Sequence, residues 1–225
     1  MKELLFKTVN EELGFTTIGY ISFILLIALF IIAAVVLSKK SMDHAKQKKF
    51  DTKQLVFCAV SVALAMITSM FPIYSFPFGG SVTLFSMFFI CFIGYLYGPS
   101  AGLCTGLAYG ILQLVIKPYI YFPIQVIVDY PLAFGALGLS GFFWKSKFGL
   151  VKGYLVGVFA RFFFAVLSGW LFFGEYAWDG WAALPYSLAY NGAYIFTEAA
   201  VTILLLICIK PLTNGLNYIK KLSLE

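Results

Sequence analysis

Three ionisable side chains, Asp129, Arg161 and Glu198, each sit inside a run of apolar residues. At a bilayer centre a charge costs at least about 2.5–3.5 kcal/mol on insertion scales, so each needs a partner or a purpose. At about 1.5 Å per helical residue, Arg161 lies roughly 18 Å below the outer end of its helix, and Glu198 lies about as far below the start of the last helix. These two can meet at one level, which reads as a structural ion pair for Glu198. Asp129 is shallower, roughly 9 Å deep. Asn191 reaches a similar level on the last helix, with Tyr186 and Tyr190 near its entrance. Trp178 and Trp181 lie in the segment before that helix, and Trp170 just below. Interfacial belts account for single aromatic rings. A carboxylate, an amide and several aromatic faces at one depth describe a pocket for a flat, cationic, hydrogen-bonding ligand.

Other chemistries find no support. The chain has no GxxxxGK[ST] phosphate loop and no HExxH, GxSxG or Cys–His arrangement. No span carries the serial charges of a proton relay or voltage sensor. Cys58, Cys91, Cys104 and Cys208 fall in apolar runs without metal-ligand spacing and read as small apolar core residues. His44, the single histidine, reads as a solvated linker residue. The expectation is a binding protein with no metal, cofactor or catalytic residue, which borrows its energy if it transports.

The elements that must position these residues are membrane spans. Of 225 residues, 61% are apolar and 12% charged, where a soluble domain carries about 25% charge. That composition excludes a disordered chain and points away from a soluble enzyme. The net charge of +6 sits in short clusters between apolar runs, a topology signal rather than a nucleic-acid footprint. The run Thr17 to Leu37 is long enough to cross a bilayer, lacks the basic n-region and small-residue cleavage site of a signal peptide, and reads as a retained anchor within residues 1–38. A basic linker follows over 39–54. Pro and Gly breakers then cut residues 55–212 into six spans, roughly 55–72, 81–97, 99–116, 123–144, 151–173 and 186–209, leaving a tail over 213–225. The expected fold is therefore all-α, a six-helix membrane bundle preceded by one additional transmembrane helix.

Placing the linker in the cytoplasm puts twelve of the sixteen basic residues inside, so the amino terminus is expected outside and the carboxyl terminus in the cytoplasm. Gly94, Gly98, Gly102, Gly106 and Gly110 recur every fourth residue, a stripe suited to close packing within the chain. Ala59 and Ala63, with Ala65 nearby, form a second smooth face. It suits either internal packing or docking to another membrane subunit.

Four segments also resemble a known family. YAWDGWAALPYSLAYNG (176–192) is similar to the last-loop signature of the thiamine-specific substrate-binding components of energy-coupling-factor vitamin transporters. FPFGGSVTLFSM (76–87), GPSAGLCTGLAYGIL (98–112) and QVIVDYPLAFGALGLSGFF (125–143) follow the same family's pattern in order. The resemblance covers roughly residues 55–212. It implies a six-helix subunit of the bacterial cytoplasmic membrane that captures thiamine from outside. Its implied partners are a transmembrane coupling subunit and two cytoplasmic ATPases. It also implies docking through Ala59 and Ala63, and ligand contacts at Tyr119, Asp129, Tyr130, Arg161, Tyr186 and Asn191, with Trp178 and Trp181 in the covering loop. Asp129 would pair with the cationic thiazolium, and Asn191 and Tyr186 would bond the polar edge of the ligand.

Three positions depart from that pattern. Ala165 stands where the family usually has a ligand-contacting His, Phe173 where some members have a stacking Trp, and Asp129 where Glu is general. Trp170, one turn from Phe173, is expected to restore the stacking. The departures leave thiamine, a thiamine precursor and another vitamin as alternative ligands, and a non-transport membrane scaffold as an alternative function.

Overall fold

The computed structural model describes residues 6–9, 12–15 and 51–224. The expected anchor run, most of the linker and His44 lie outside these residues. The chain divides into two units, Met1–Gln47 and Lys48–Glu225. In the first, β1 (Phe6–Val9) pairs antiparallel with β2 (Glu12–Phe15), Phe6 opposite Phe15 and Val9 opposite Glu12.

The second unit is helical. Its elements are α1 (Thr52–Met70), a two-residue ladder of β3 (Tyr74–Ser75) with β4 (Ser81–Val82), α2 (Ser86–Tyr97), α3 (Pro99–Ile116), α4 (Pro123–Phe143), α5 (Gly149–Phe172), α6 (Ala183–Cys208) and α7 (Lys210–Leu224). Five of these, α1 and α3 to α6, are long and apolar enough to cross a membrane. α2 is shorter and forms the buried centre: Met87, Ile90, Ile93 and Leu96 are wholly shielded, and the helix packs on α1, α3, α4 and α5. α1 is the opposite case, exposing Leu55, Val56, Val60, Leu64 and Ile67. Apolar residues facing outward are what a hydrocarbon solvent selects. Ala59 and Ala63 lie on this exposed surface, while Ala65 is buried. The cysteines divide likewise. Cys91 is buried and Cys58 partly so, but Cys104 and Cys208 are exposed and are not core residues.

The glycine stripe packs within the chain. A Cβ on Gly102 would lie 2.7 Å from the Gly138 carbonyl oxygen, and one on Gly106 would lie 2.5 Å from that of Phe134. Helix backbones therefore touch where α3 crosses α4, a contact that adds dispersion energy without burying charge.

Two boundaries differ from the expected spans. The second span was expected to begin at residue 81, but residues 81–82 pair with 74–75 and Phe85 takes a left-handed φ of 64°. A turn through Gly79, at φ 93°, returns the chain and uses residues that hydropathy alone assigns to the helix. The expected tail is the other correction. Lys210–Leu224 is a helix whose Leu216 is buried and whose Leu212 and Ile219 pack on the core. Spacing of i, i+4 and i+7 gives it an apolar face despite its lysines. Lys220 donates to the Trp144 carbonyl at 3.0 Å and stands 3.6 Å over the Tyr95 ring. Lys53 donates to the Leu222 carbonyl, which ties α7 to α1 at the same end.

Candidate functional site

At the other end of the bundle, α4, α5 and α6 with the β3–β4 segment enclose a cavity of about 420 Å³. That lies within the range of about 300–1,000 Å³ usual for small-molecule sites. Its carboxylate is set by a local defect in α4. Pro131 has no N–H to continue the helical ladder, and the Ala133 N–H reaches back five residues to the Val128 carbonyl. The resulting π turn over Val128–Leu132 carries Asp129 and Tyr130. Such turns recur at functional sites because they swing one side chain off the regular face.

Gln125, one turn earlier and fully buried, holds Asp129 in place. Its Nε2 donates to Asp129 Oδ2 at 2.5 Å and to the Tyr119 carbonyl at 3.1 Å, while its Oε1 accepts the Tyr121 N–H at 3.0 Å. The Tyr130 hydroxyl accepts the Tyr119 N–H at 2.7 Å and donates to the Lys117 carbonyl at 2.8 Å. The carboxylate and the 117–122 loop thus form one hydrogen-bonded frame. Lys117 itself donates to the Ser69 carbonyl at 2.7 Å on the cavity wall.

The α6 wall is a ladder of rings at four-residue spacing, Tyr186, Tyr190 and Tyr194. Tyr190 accepts the Gly80 N–H at 3.0 Å and donates to the Pro77 carbonyl, pinning the β3–β4 turn over the cavity. Asn191 is largely committed inside the protein. Its Nδ2 donates to the Ser187 carbonyl at 2.9 Å and to Ser187 Oγ at 3.1 Å, and its Oδ1 accepts the Tyr194 hydroxyl at 2.7 Å. One Oδ1 lone pair is left for a ligand. Gly169 permits this close crossing of α5 and α6, since a Cβ there would sit 2.3 Å from Ser187 Oγ.

The expected ion pair between Arg161 and Glu198 is not formed. The two oxygens of Glu198, a buried residue, accept four donors at the start of α2: the Thr83 hydroxyl at 2.6 Å, the Thr83 N–H at 3.3 Å, and the Ser86 hydroxyl and Met87 N–H at 3.0 Å each. A helix N-terminus is where free N–H groups and the helix dipole favour negative charge. Arg161 instead lies 4.5 Å over the Phe134 ring and, among the described residues, is salt-bridged to no carboxylate.

Six of the nine ligand contacts expected from the sequence line this cavity: Tyr119, Asp129, Tyr130, Arg161, Tyr186 and Asn191. Trp178 and Trp181 form a layer behind it. Trp178 packs edge-on to Tyr186 at 5.1 Å and to Trp181 at 5.0 Å, and about half of each indole is exposed. Trp170 is off the cavity wall and 38% exposed, so it does not stand in for a stacking ring. Phe173 does line the cavity, 5.8 Å from both Tyr119 and Tyr121. Gln125, Tyr194 and Ser168 also line it and were not among the expected contacts. Tyr194 continues the four-residue spacing of Tyr186 and Tyr190, and Gln125 precedes Asp129 by one turn. Both signals were present in the sequence.

At the mouth, the Tyr121 hydroxyl donates to Glu175 at 2.5 Å and joins the 117–122 loop to the short 3-10 turn Gly174–Tyr176. The adjacent carboxylate holds the Tyr121 phenol above its ordinary value. Phe78 packs on Tyr176 at 4.5 Å, bringing the β3–β4 turn into the same cover.

Fold and cavity together define a multi-pass helical membrane protein with a polar, aromatic small-molecule site near one end of its bundle. The chain belongs to the thiamine transporter protein family (Thia_YuaJ), whose model matches residues 55–217. It is 33% identical over 187 residues to thiamine transporter ThiT of Bacillus subtilis (strain 168), covering 76% of this chain and 96% of that relative. To thiamine transporter ThiT of Lacticaseibacillus paracasei it is 32% identical over 116 residues, 44% of this chain and 58% of that one. It is also similar to a solved structure of ThiT from Listeria monocytogenes, with a TM-score of 0.60 and 31% identity, covering 70% of this chain and 94% of that chain.

Proposed function

We propose that this chain is the substrate-binding subunit of an energy-coupling-factor importer and captures thiamine from outside the cell. The observation that carries the reading is the convergence of Asp129, Arg161, Asn191 and the tyrosines of α6 on one cavity in a chain of the thiamine transporter family. Gln125 holds one oxygen of Asp129, and the carboxylate lines the cavity, where it can face a cationic ring. Tyr186, Phe173 and Tyr119 supply aromatic faces for a flat ligand. The sequence carries no GxxxxGK[ST] phosphate loop for hydrolysing ATP. That work falls to two cytoplasmic ATPases, reached through a transmembrane coupling subunit that docks on the exposed Ala59 and Ala63 of α1.

The proposed orientation has the amino terminus outside, the carboxyl terminus in the cytoplasm and the cavity mouth outward. It is supported by Lys220 on Trp144 and Lys53 on Leu222, which gather basic residues at the end opposite the cavity. Ala165 on the cavity wall removes a polar contact that thiamine usually finds in this family, which favours a thiamine precursor as the second reading.

The test compares ligands on Asp129→Asn. Losing a charge-assisted contact costs about 1.5–3 kcal/mol, so thiamine affinity should fall roughly 10- to 150-fold. A neutral aminopyrimidine fragment should bind the variant nearly as it binds the original. Equal losses for both ligands would reject the carboxylate's role.

A further inference from the structure

The geometry points to Gln113 as the residue that reads the hydroxyl on the ligand's side arm, its amide oxygen accepting that hydroxyl's proton. The inference rests on the proposed function and concerns the same cavity. A further wall of that cavity is made by α3 and the end of α1, where Ser69, Tyr109, Gln113 and Lys117 line it. Tyr109, Gln113 and Lys117 follow one another at four-residue spacing, so they share one side of α3 and its end.

The neighbours of Gln113 fix which way its amide faces. Ser69 Oγ donates to the Met66 carbonyl at 2.8 Å, and the Tyr109 hydroxyl donates to the Ala65 carbonyl at 3.4 Å. With their protons spent, both hydroxyls can only accept. Gln113 Nε2 serves them both, at 2.8 Å to Ser69 Oγ and 2.6 Å to the Tyr109 hydroxyl. Its two protons are thereby used. The other branch of the amide, Oε1, receives no donor among the described residues. Gln113 is 7% exposed and lines the cavity, and Oε1 is not among the sealed-in atoms, so its lone pairs open on the cavity. The other amides there are more committed: Gln125 Oε1 takes the Tyr121 N–H at 3.0 Å, and Asn191 Oδ1 takes the Tyr194 hydroxyl at 2.7 Å.

Position defines what the oxygen reads. Gly110, three residues earlier, crosses α4 so closely that a Cβ there would lie 2.5 Å from the Tyr130 carbonyl oxygen. Gln113 therefore stands beside the π turn that carries Asp129, and the donor it takes belongs to a substituent near the cationic ring. On thiamine that substituent is the hydroxyethyl arm of the thiazolium. Lys117 complements the amide: its Nζ donates to the Ser69 carbonyl at 2.7 Å and has two further protons. Both side chains bond to Ser69, so a hydroxyl entering here meets an acceptor and a donor together.

The experiment titrates thiamine, and an analogue whose side-arm hydroxyl is replaced by hydrogen, into the purified full-length protein and into Gln113→Leu. The original protein should bind thiamine about tenfold more tightly than the analogue. Gln113→Leu should bind the two within about twofold of each other, and an aminopyrimidine fragment should not distinguish the variant from the original. Gln113→Met, unbranched and of similar length, repeats the comparison should Gln113→Leu fold poorly. A merely structural role would weaken all three ligands alike, and that result would overturn the inference. So would an original protein that binds thiamine and the analogue equally, or a variant that keeps the preference. Those outcomes leave the proposed function standing, whereas an original protein that binds no thiamine removes both.

Discussion

Replacing Glu198 should damage the fold before it damages ligand binding. Its two oxygens accept the Thr83 hydroxyl and N–H and the Ser86 hydroxyl and Met87 N–H, at 2.6 to 3.3 Å. Glu198→Ala strands three donors at the buried start of α2, while the Thr83 hydroxyl can turn to Ser86 Oγ at 2.6 Å. Hydrogen bonds to a charged group are worth about 1.5–3 kcal/mol each, but the stranded groups relax together. Removing one side of a buried charged network costs about 3–5 kcal/mol in practice. For a chain of this size each kcal/mol lowers the melting temperature by about 2–4 °C, so the expected drop is roughly 6–20 °C. Glu198→Gln keeps one acceptor oxygen and should fall between the two proteins. Arg161→Met removes a guanidinium that lies over Phe134 and is salt-bridged to no carboxylate among the described residues, so it should cost the ligand-free protein less. Melting of detergent-purified, ligand-free variants reads all three. A Glu198→Ala protein melting within about 2 °C of the original would refute the capping argument. An Arg161→Met loss as large as that of Glu198→Ala would restore the ion pair.

Two other outcomes follow from named contacts. Tyr121→Phe removes the bond to Glu175 across the cavity mouth, and because that bond is exposed the effect is small: thiamine should dissociate about two- to fivefold faster in stopped flow, with its association rate little changed. The same clasp needs a neutral phenol, whose value is raised by Glu175, so it holds fully below about pH 10 and is lost as pH climbs through the raised value; dissociation that speeds up between pH 6 and 8 through this bond would contradict that sign. Ala59→Trp with Ala63→Trp adds bulk to an exposed face of α1, and neither residue lines the cavity. It should abolish cellular uptake while leaving thiamine binding to the isolated subunit intact, and uptake that survives would end the docking proposal.

Much of this architecture could be read from the sequence because the signals are local. Pro99, Pro123 and the stretch before Ala183 punctuate apolar runs, and the long helices start within a few residues of them. The shortened start of α2 was hidden, since it depends on a turn through Gly79 and on a ladder between residues eight apart in sequence at Tyr74 and Val82. Hydropathy does not see a turn made of Phe, Pro and Val. α7 was missed because its lysines masked the apolar spacing of Leu212, Leu216 and Ile219. At the site, depth along a helix brought Asp129 and Asn191 to one level. Depth carries no information on which way a side chain faces, which is why Trp170 and the Arg161–Glu198 pairing went astray.

The central claim is that the cavity between α4, α5 and α6 holds thiamine. Titrating thiamine into the detergent-purified chain and following intrinsic tryptophan fluorescence tests it most directly, because Trp178 packs against Tyr186 on the cavity wall. Saturable quenching at nanomolar to low micromolar thiamine is the predicted result. Quenching by a pyrimidine or thiazole precursor but not by thiamine would contradict the assignment of the ligand, and silence to all of them would contradict the site.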